Sequence, residues 1–233
     1  MKAHRGTVKP FIDAPPAVVA IKQHPASLHL GIIHRSEDDN VPHMLDLAWH
    51  FRLRNDPADP DYFWVEPGFP ERRARQVATF CRLVAKRNEN GLPYAFSDPD
   101  RSIDPMTGGF LLGPTKLGLT CASFVLAVFA ATGLPLAVLE SWPRGRDGDA
   151  EWQAFIVECL EKSEATPEHV AAVRGEIGHV RYRPDEVAAA SSIAPPAATF
   201  EQVGIPAATL RALLALDVVE RLNEDAASEE PSI

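Results

Sequence analysis

From Phe124 to Ala131 the chain runs Phe-Val-Leu-Ala-Val-Phe-Ala-Ala, with no polar side chain on any face. A helix with this composition has no side to present to water and must be buried. Its limits are written into the flanking residues. Thr120 is placed to accept an orphan backbone N–H as N-cap, and Gly133 to take the left-handed conformation that closes the helix. Cys121 then falls in the first turn, where unpaired N–H groups and the positive end of the helix dipole favour an anion. Such surroundings depress a thiol pKa and make the thiolate the working species. A buried cysteine can equally serve as a small hydrophobe, so the question becomes whether a base lies nearby.

The rest of the composition narrows the class. The chain has 233 residues, 45% of them hydrophobic and 24% charged, enough for one large globular domain or a domain with an appendage. A net charge of −9 excludes a binder that works by neutralising nucleic-acid phosphates. Cys81, Cys121 and Cys159 are odd in number and far apart. They form neither a disulfide framework nor a zinc signature, and no metal or cofactor is expected. A reducing, cytoplasmic location is the simplest expectation. Ala17–Ile21 is too short for a signal-peptide core, and no apolar run approaches a membrane span.

Taken in order, residues 1–26 are Pro-rich and read as a leader over the core, with a short strand around 18–21. Residues 27–34 have strand character. Glu37 to Asn40 reads as a turn. Residues 43–53 form a second strand, because Leu45, Leu47, Trp49, Phe51 and Leu53 alternate with Asp46, His50 and Arg52. A short polar turn between two such strands predicts an antiparallel hairpin. Residues 55–61 read as a loop and Tyr62–Val65 as a third strand. A helix begins at Pro70 and ends by Gly91, with Val77, Phe80, Cys81 and Val84 on its core face. After the central helix the pattern is helical from Glu151, again from Thr166-Pro167, and again over 206–222. Residues 188–198 read as an Ala/Ser/Pro linker and the acidic end as a fraying tail. The expected fold class is α+β, with a core over 27–148 and a helical extension over 149–233 packed on it.

A cysteine nucleophile needs a base, and the base needs an orienting group. Of eight histidines, His4, His24, His169 and His179 read as surface or satisfied core residues. His29 and His43 stand out because they sit at matching ends of two strands expected to pair. Strand alternation puts His34, an alternative base, on the face opposite His29. Asp46 is an alternative orienter.

At these residues the chain resembles a family. His29-Leu30-Gly31-Ile32 on one strand, His43-Met44 opening the next, and Thr120-Cys121-Ala122-Ser123-Phe124-Val125 opening a helix are similar to the circularly permuted branch of the papain-like NlpC superfamily. That branch includes lecithin:retinol acyltransferase-like and bacterial YiiX-type proteins, in which the histidine strand precedes the cysteine helix. The resemblance spans residues 27–135. It implies an antiparallel sheet packed on the cysteine helix, with Cys121 as nucleophile, His29 as base and His43 as orienter. It also implies a cysteine hydrolase, peptidase or acyltransferase working on an amide or ester through a thioester, with a small peptide or acyl compound as substrate. Two features depart from the pattern: Ala-Ser follows Cys121 where relatives carry Ser-Gly or Glu-His, and the C-terminal helices match nothing in the family. A non-catalytic binding protein on the same fold, or an interaction protein with an acidic surface, are the rival expectations.

Overall fold

The computed structural model describes residues 1–24, 27–35, 41–113 and 117–228. The expected turn at 37–40 and the part of the expected fraying tail (223–233) beyond 228 lie outside the described residues, while 223–228 continue the last helix. The architecture is α+β, one antiparallel sheet with helices packed around it. The strands are β1 (Ala3–Arg5), β2 (Ala17–His24), β3 (Ser27–Arg35), β4 (Pro42–Trp49), β5 (Arg52–Pro57) and β6 (Phe63–Val65), in spatial order β1-β6-β2-β3-β4-β5. The α-helices are α1 (Glu71–Arg87), α2 (Cys121–Ala131), α3 (Asp149–Glu161), α4 (Pro167–Gly175), α5 (Pro184–Ala190) and α6 (Phe200–Ser228).

Several features differ from the sequence expectation, among them residues 55–57, read as loop, which belong to β5. Residues 1–26, read as a leader, supply two strands, and β2 lies inside the sheet between β6 and β3. Ala17, Val18, Val19, Ala20 and Ile21 are all buried, since an interior strand of a covered sheet is apolar on both faces and shows no alternation. The second strand stops at Trp49 and folds back into β5, with Phe51 in the left-handed region at φ 53°. Alternation on both sides of the bend hid the break. Residues 188–190, read as linker, end the buried helix α5. Its alanines are fully covered, because side chains this small let the helix lie close to α6 and the sheet.

The apolar helix behaves as its composition demands. Thr120 caps α2 and forms a reciprocal capping box with Ser123: Ser123 N donates to Thr120 Oγ1 at 3.1 Å, and Thr120 N to Ser123 Oγ at 2.8 Å. Ser123 therefore has its own task in the sequence Cys-Ala-Ser. Gly133 sits at φ 68° past the far end. Phe124, Val125, Val128 and Phe129 are completely buried, each worth about 1.5–3 kcal/mol relative to exposure. One hydrophobic cluster joins these residues to β2, β3 and β4 and to α3, α4, α5 and α6, so the C-terminal helices share the core of the sheet. Within α6 the stretch Phe200–Val219, mean hydropathy 1.4, is long and apolar enough to cross a membrane by length and composition. The sequence reading found no such stretch. Val203, Ala207, Leu210 and Leu214 of this helix are buried in the cluster.

Candidate active site

The hairpin register decides which polar groups meet. Ile32 pairs with Leu45, Ile33 with Met44 and His34 with His43. One step beyond Ile32 and Leu45 are Gly31 and Asp46. A Cβ on Gly31 would come within 2.9 Å of Asp46 Cβ, so the missing side chain leaves the room that Asp46 occupies. His29 lies two residues from Gly31 on the same face and reaches Asp46 diagonally. Its Nε2–H donates to Asp46 Oδ2 at 2.8 Å. Arg54, opposite Asp46 on β5, donates to the same oxygen from Nη2 at 2.7 Å and Nε at 3.1 Å. Asp46 is buried and acts as an anchored acceptor.

The other polar contact of His29 is the thiol of Cys121, at the first position of α2. With Nε2 committed to Asp46, Nδ1 is the nitrogen left to serve the sulfur. Burial of the ring lowers its pKa, but the Asp46 hydrogen bond and the Cys121 thiol outweigh that and raise it to about 9. The structure thus brings Cys121, His29 and Asp46 together. It does not bring His43 to them. His43 stands opposite His34, ring centroids 6.3 Å apart, and shares the sheet face that alternation denies to His29. His34 Nε2 pairs with Asn55 Oδ1 at 2.7 Å.

Sequence reasoning missed Tyr94. Its segment lies along the residues that lead into α2: Leu119 N donates to Pro93 O, and Ala95 N to Leu119 O. Gly118 permits the approach, because a Cβ there would meet Pro93 O at 2.2 Å. The Tyr94 hydroxyl sits by the backbone N–H and thiol of Cys121, and burial pushes its pKa far up, so it stays a protonated donor. Two histidines hold the Tyr94 backbone. His50 Nδ1 accepts from Tyr94 N at 3.2 Å, and His169 Nε2 donates to Tyr94 O at 2.9 Å. Burial, then the neighbouring His169, lowers the His50 pKa to about 4, which keeps it a neutral acceptor. Glu176 accepts from Phe96 N and Ser97 Oγ at 2.8 and 2.7 Å. The C-terminal extension therefore fixes the segment that delivers Tyr94. No motif of spacing links residues 94, 121 and 169, so only the packing could reveal them.

Cys121, His29 and Tyr94 line a cleft of about 570 Å³. Leu28 and Trp49 form one wall, and Trp152, Phe155, Ile156 and Cys159 of α3 form another. Cys81 is fully buried in α1, and burial pushes its thiol pKa up. Among the described residues no cluster of three or more His, Cys, Asp or Glu could hold a metal ion. No family model, no curated protein and no solved structure matches this chain.

The raised His29 pKa has a consequence for stability. In the unfolded chain the imidazole titrates near 6.5, so its native contacts stabilise the fold fully below that pH. The contribution is lost as pH rises through about 9. It amounts to about 3 kcal/mol at most. Urea unfolding should show lower stability at pH 9.5 than at pH 6, with a smaller difference in Asp46→Asn. The same pH dependence in both proteins would mean that Asp46 does not hold the His29 proton.

Proposed function

We propose that the protein is a cysteine-dependent hydrolase or acyltransferase acting on an amide or ester, with a permuted papain-like core. The observation that carries this reading is the line Asp46–His29–Cys121 ending at a helix N-terminus inside a cleft. Asp46 orients and polarises His29, and His29 takes the thiol proton and holds the thiolate as an ion pair. The thiolate attacks the carbonyl carbon. The oxyanion that forms is stabilised by the Cys121 N–H and the Tyr94 hydroxyl, both fixed before substrate arrives. Protonated His29 then gives its proton to the departing amine or alkoxide, leaving a thioester on Cys121. Water, activated by His29, releases the acid, or an amine accepts the acyl group. Low-molecular-weight peptide and acyl compounds suit the cleft's size.

Thiol selectivity tests the reading. Iodoacetamide at neutral pH should label Cys121 well before Cys81, because alkylation follows thiolate fraction and access. The preference should persist to mildly acidic pH and disappear in His29→Ala. Cys159, read from sequence as a mid-helix core residue, is half-buried and lines the same cleft. It should therefore react too, but at an ordinary rate that His29→Ala does not change. Mass mapping that finds Cys121 no faster than Cys159 at pH 6 would leave a binding protein in place of an enzyme.

A further inference from the structure

The cleft has a polar end as well as an apolar one, and that end belongs to the C-terminal extension. Arg181 lines the cleft with Cys121 and Tyr94, and its guanidinium lies over the Trp152 ring, 4.0 Å from the centroid. Its pairing is incomplete. Nη1 donates to Asp149 Oδ1 at 3.3 Å, Nη2 has no hydrogen-bond partner among the described residues, and Nε is buried without one. The same Asp149 carboxylate also serves Arg183 and Arg146, at 3.0 Å each. Arg146 has a second carboxylate in Glu186, at 2.5 Å, so two carboxylates face three guanidinium groups and Arg181 has the weakest share. Two further cationic side chains line the cleft: Arg183, held by Asp149, and Arg211, matched by Asp185 in a two-pronged pair. A desolvated guanidinium with free N–H groups is a ready donor site for a planar anion.

We infer that the substrate carries a carboxylate, taken by Arg181, beside an apolar group that rests on Trp49, Trp152 and Phe155. This rests on the reading of Cys121 as the nucleophile of the same cleft. Phe155 is 52% exposed, an unusual position for a phenylalanine that nothing covers, and an apolar substrate group would cover it. Asp147, Asp149 and Asp185 around the arginines disfavour a doubly charged phosphate and leave a singly charged carboxylate as the better fit.

Two reagents that differ only in charge test the inference on the full chain. Iodoacetate should alkylate Cys121 on the order of tenfold faster than iodoacetamide, the gain of one charge-assisted hydrogen-bonded pair. Arg181→Gln should erase that preference, read as the ratio of the two rates in the same protein, and Arg181→Lys should keep part of it. No preference in the wild type, or one that survives Arg181→Gln, overturns the inference. Should Arg181→Gln misfold, or should Cys121 resist both reagents, tryptophan fluorescence titration of the wild type decides. Phenylacetate should bind at least about tenfold more tightly than phenylacetamide, and equal binding overturns the site. Tighter binding of phenyl phosphate than of phenylacetate overturns the carboxylate assignment. Resistance of Cys121 to both reagents counts against the catalytic reading alone, so the two failures are told apart.

Discussion

In the proposed mechanism p-nitrophenyl acetate should give a burst of nitrophenol with the wild type, and Cys121→Ala should abolish it, lowering the acylation rate by roughly 10³-fold or more. Nothing else in the cleft can replace the lost atom. Cys159 shares the cleft, but it sits in the last turn of α3, where the helix dipole disfavours a thiolate. The fold should survive. Cys121 occupies the first position of α2, where alanine is accommodated, and the cap is made by Thr120 and Ser123. Stability should change by no more than about 1–2 kcal/mol. Full-length variant that retains the burst and gains acyl mass on another residue would remove Cys121 from the mechanism.

The second large effect separates two candidate orienting groups. Asp46→Asn should lower the acylation rate by about 10²–10⁴-fold, the range for loss of a working acid–base group. An amide oxygen can still accept a hydrogen bond but cannot stabilise an imidazolium, and a flipped amide would favour the wrong tautomer. Arg54 would also lose its carboxylate partner at 2.7 Å. His43→Ala should be mild, within about fivefold, because His43 faces His34 on the other side of the sheet. The resemblance to permuted papain-like proteins had implied His43 in the orienting role. Equal losses in the two variants, or a larger one at His43, would restore it. Solution pH profiles give a second readout: Asp46→Asn should draw the basic limb of thiolate–imidazolium reactivity down from about 9 toward the ordinary histidine value.

The sequence alone determined the central helix and its limits. An unbroken apolar run can be satisfied only by burial, and Thr120 and Gly133 supply the cap and the reversal that such a helix needs. It also placed His29 on a strand and on the face opposite His34, since alternation is a local property of the backbone. The helix starts near Pro70 and at Thr166-Pro167 were legible for the same reason: caps act within a few residues. What tertiary structure decided was register and docking. Whether His29 meets His43 or Asp46 turns on which residues pair across the hairpin, and a shift of a few residues exchanges one for the other. Composition does not encode that offset; the fit of Asp46 into the space above Gly31 does. Strand β2 was legible only as a short stretch around 18–21, and its place inside the sheet was hidden because burial on both faces removes its alternation; α5 was hidden because alanine-rich stretches look the same in a linker and in a tightly packed helix. Tyr94 and Arg181 line the cleft with Cys121, and His169 holds the Tyr94 carbonyl; these residues lie far apart in the chain and are joined only by packing, which is a matter of shape and not of local pattern.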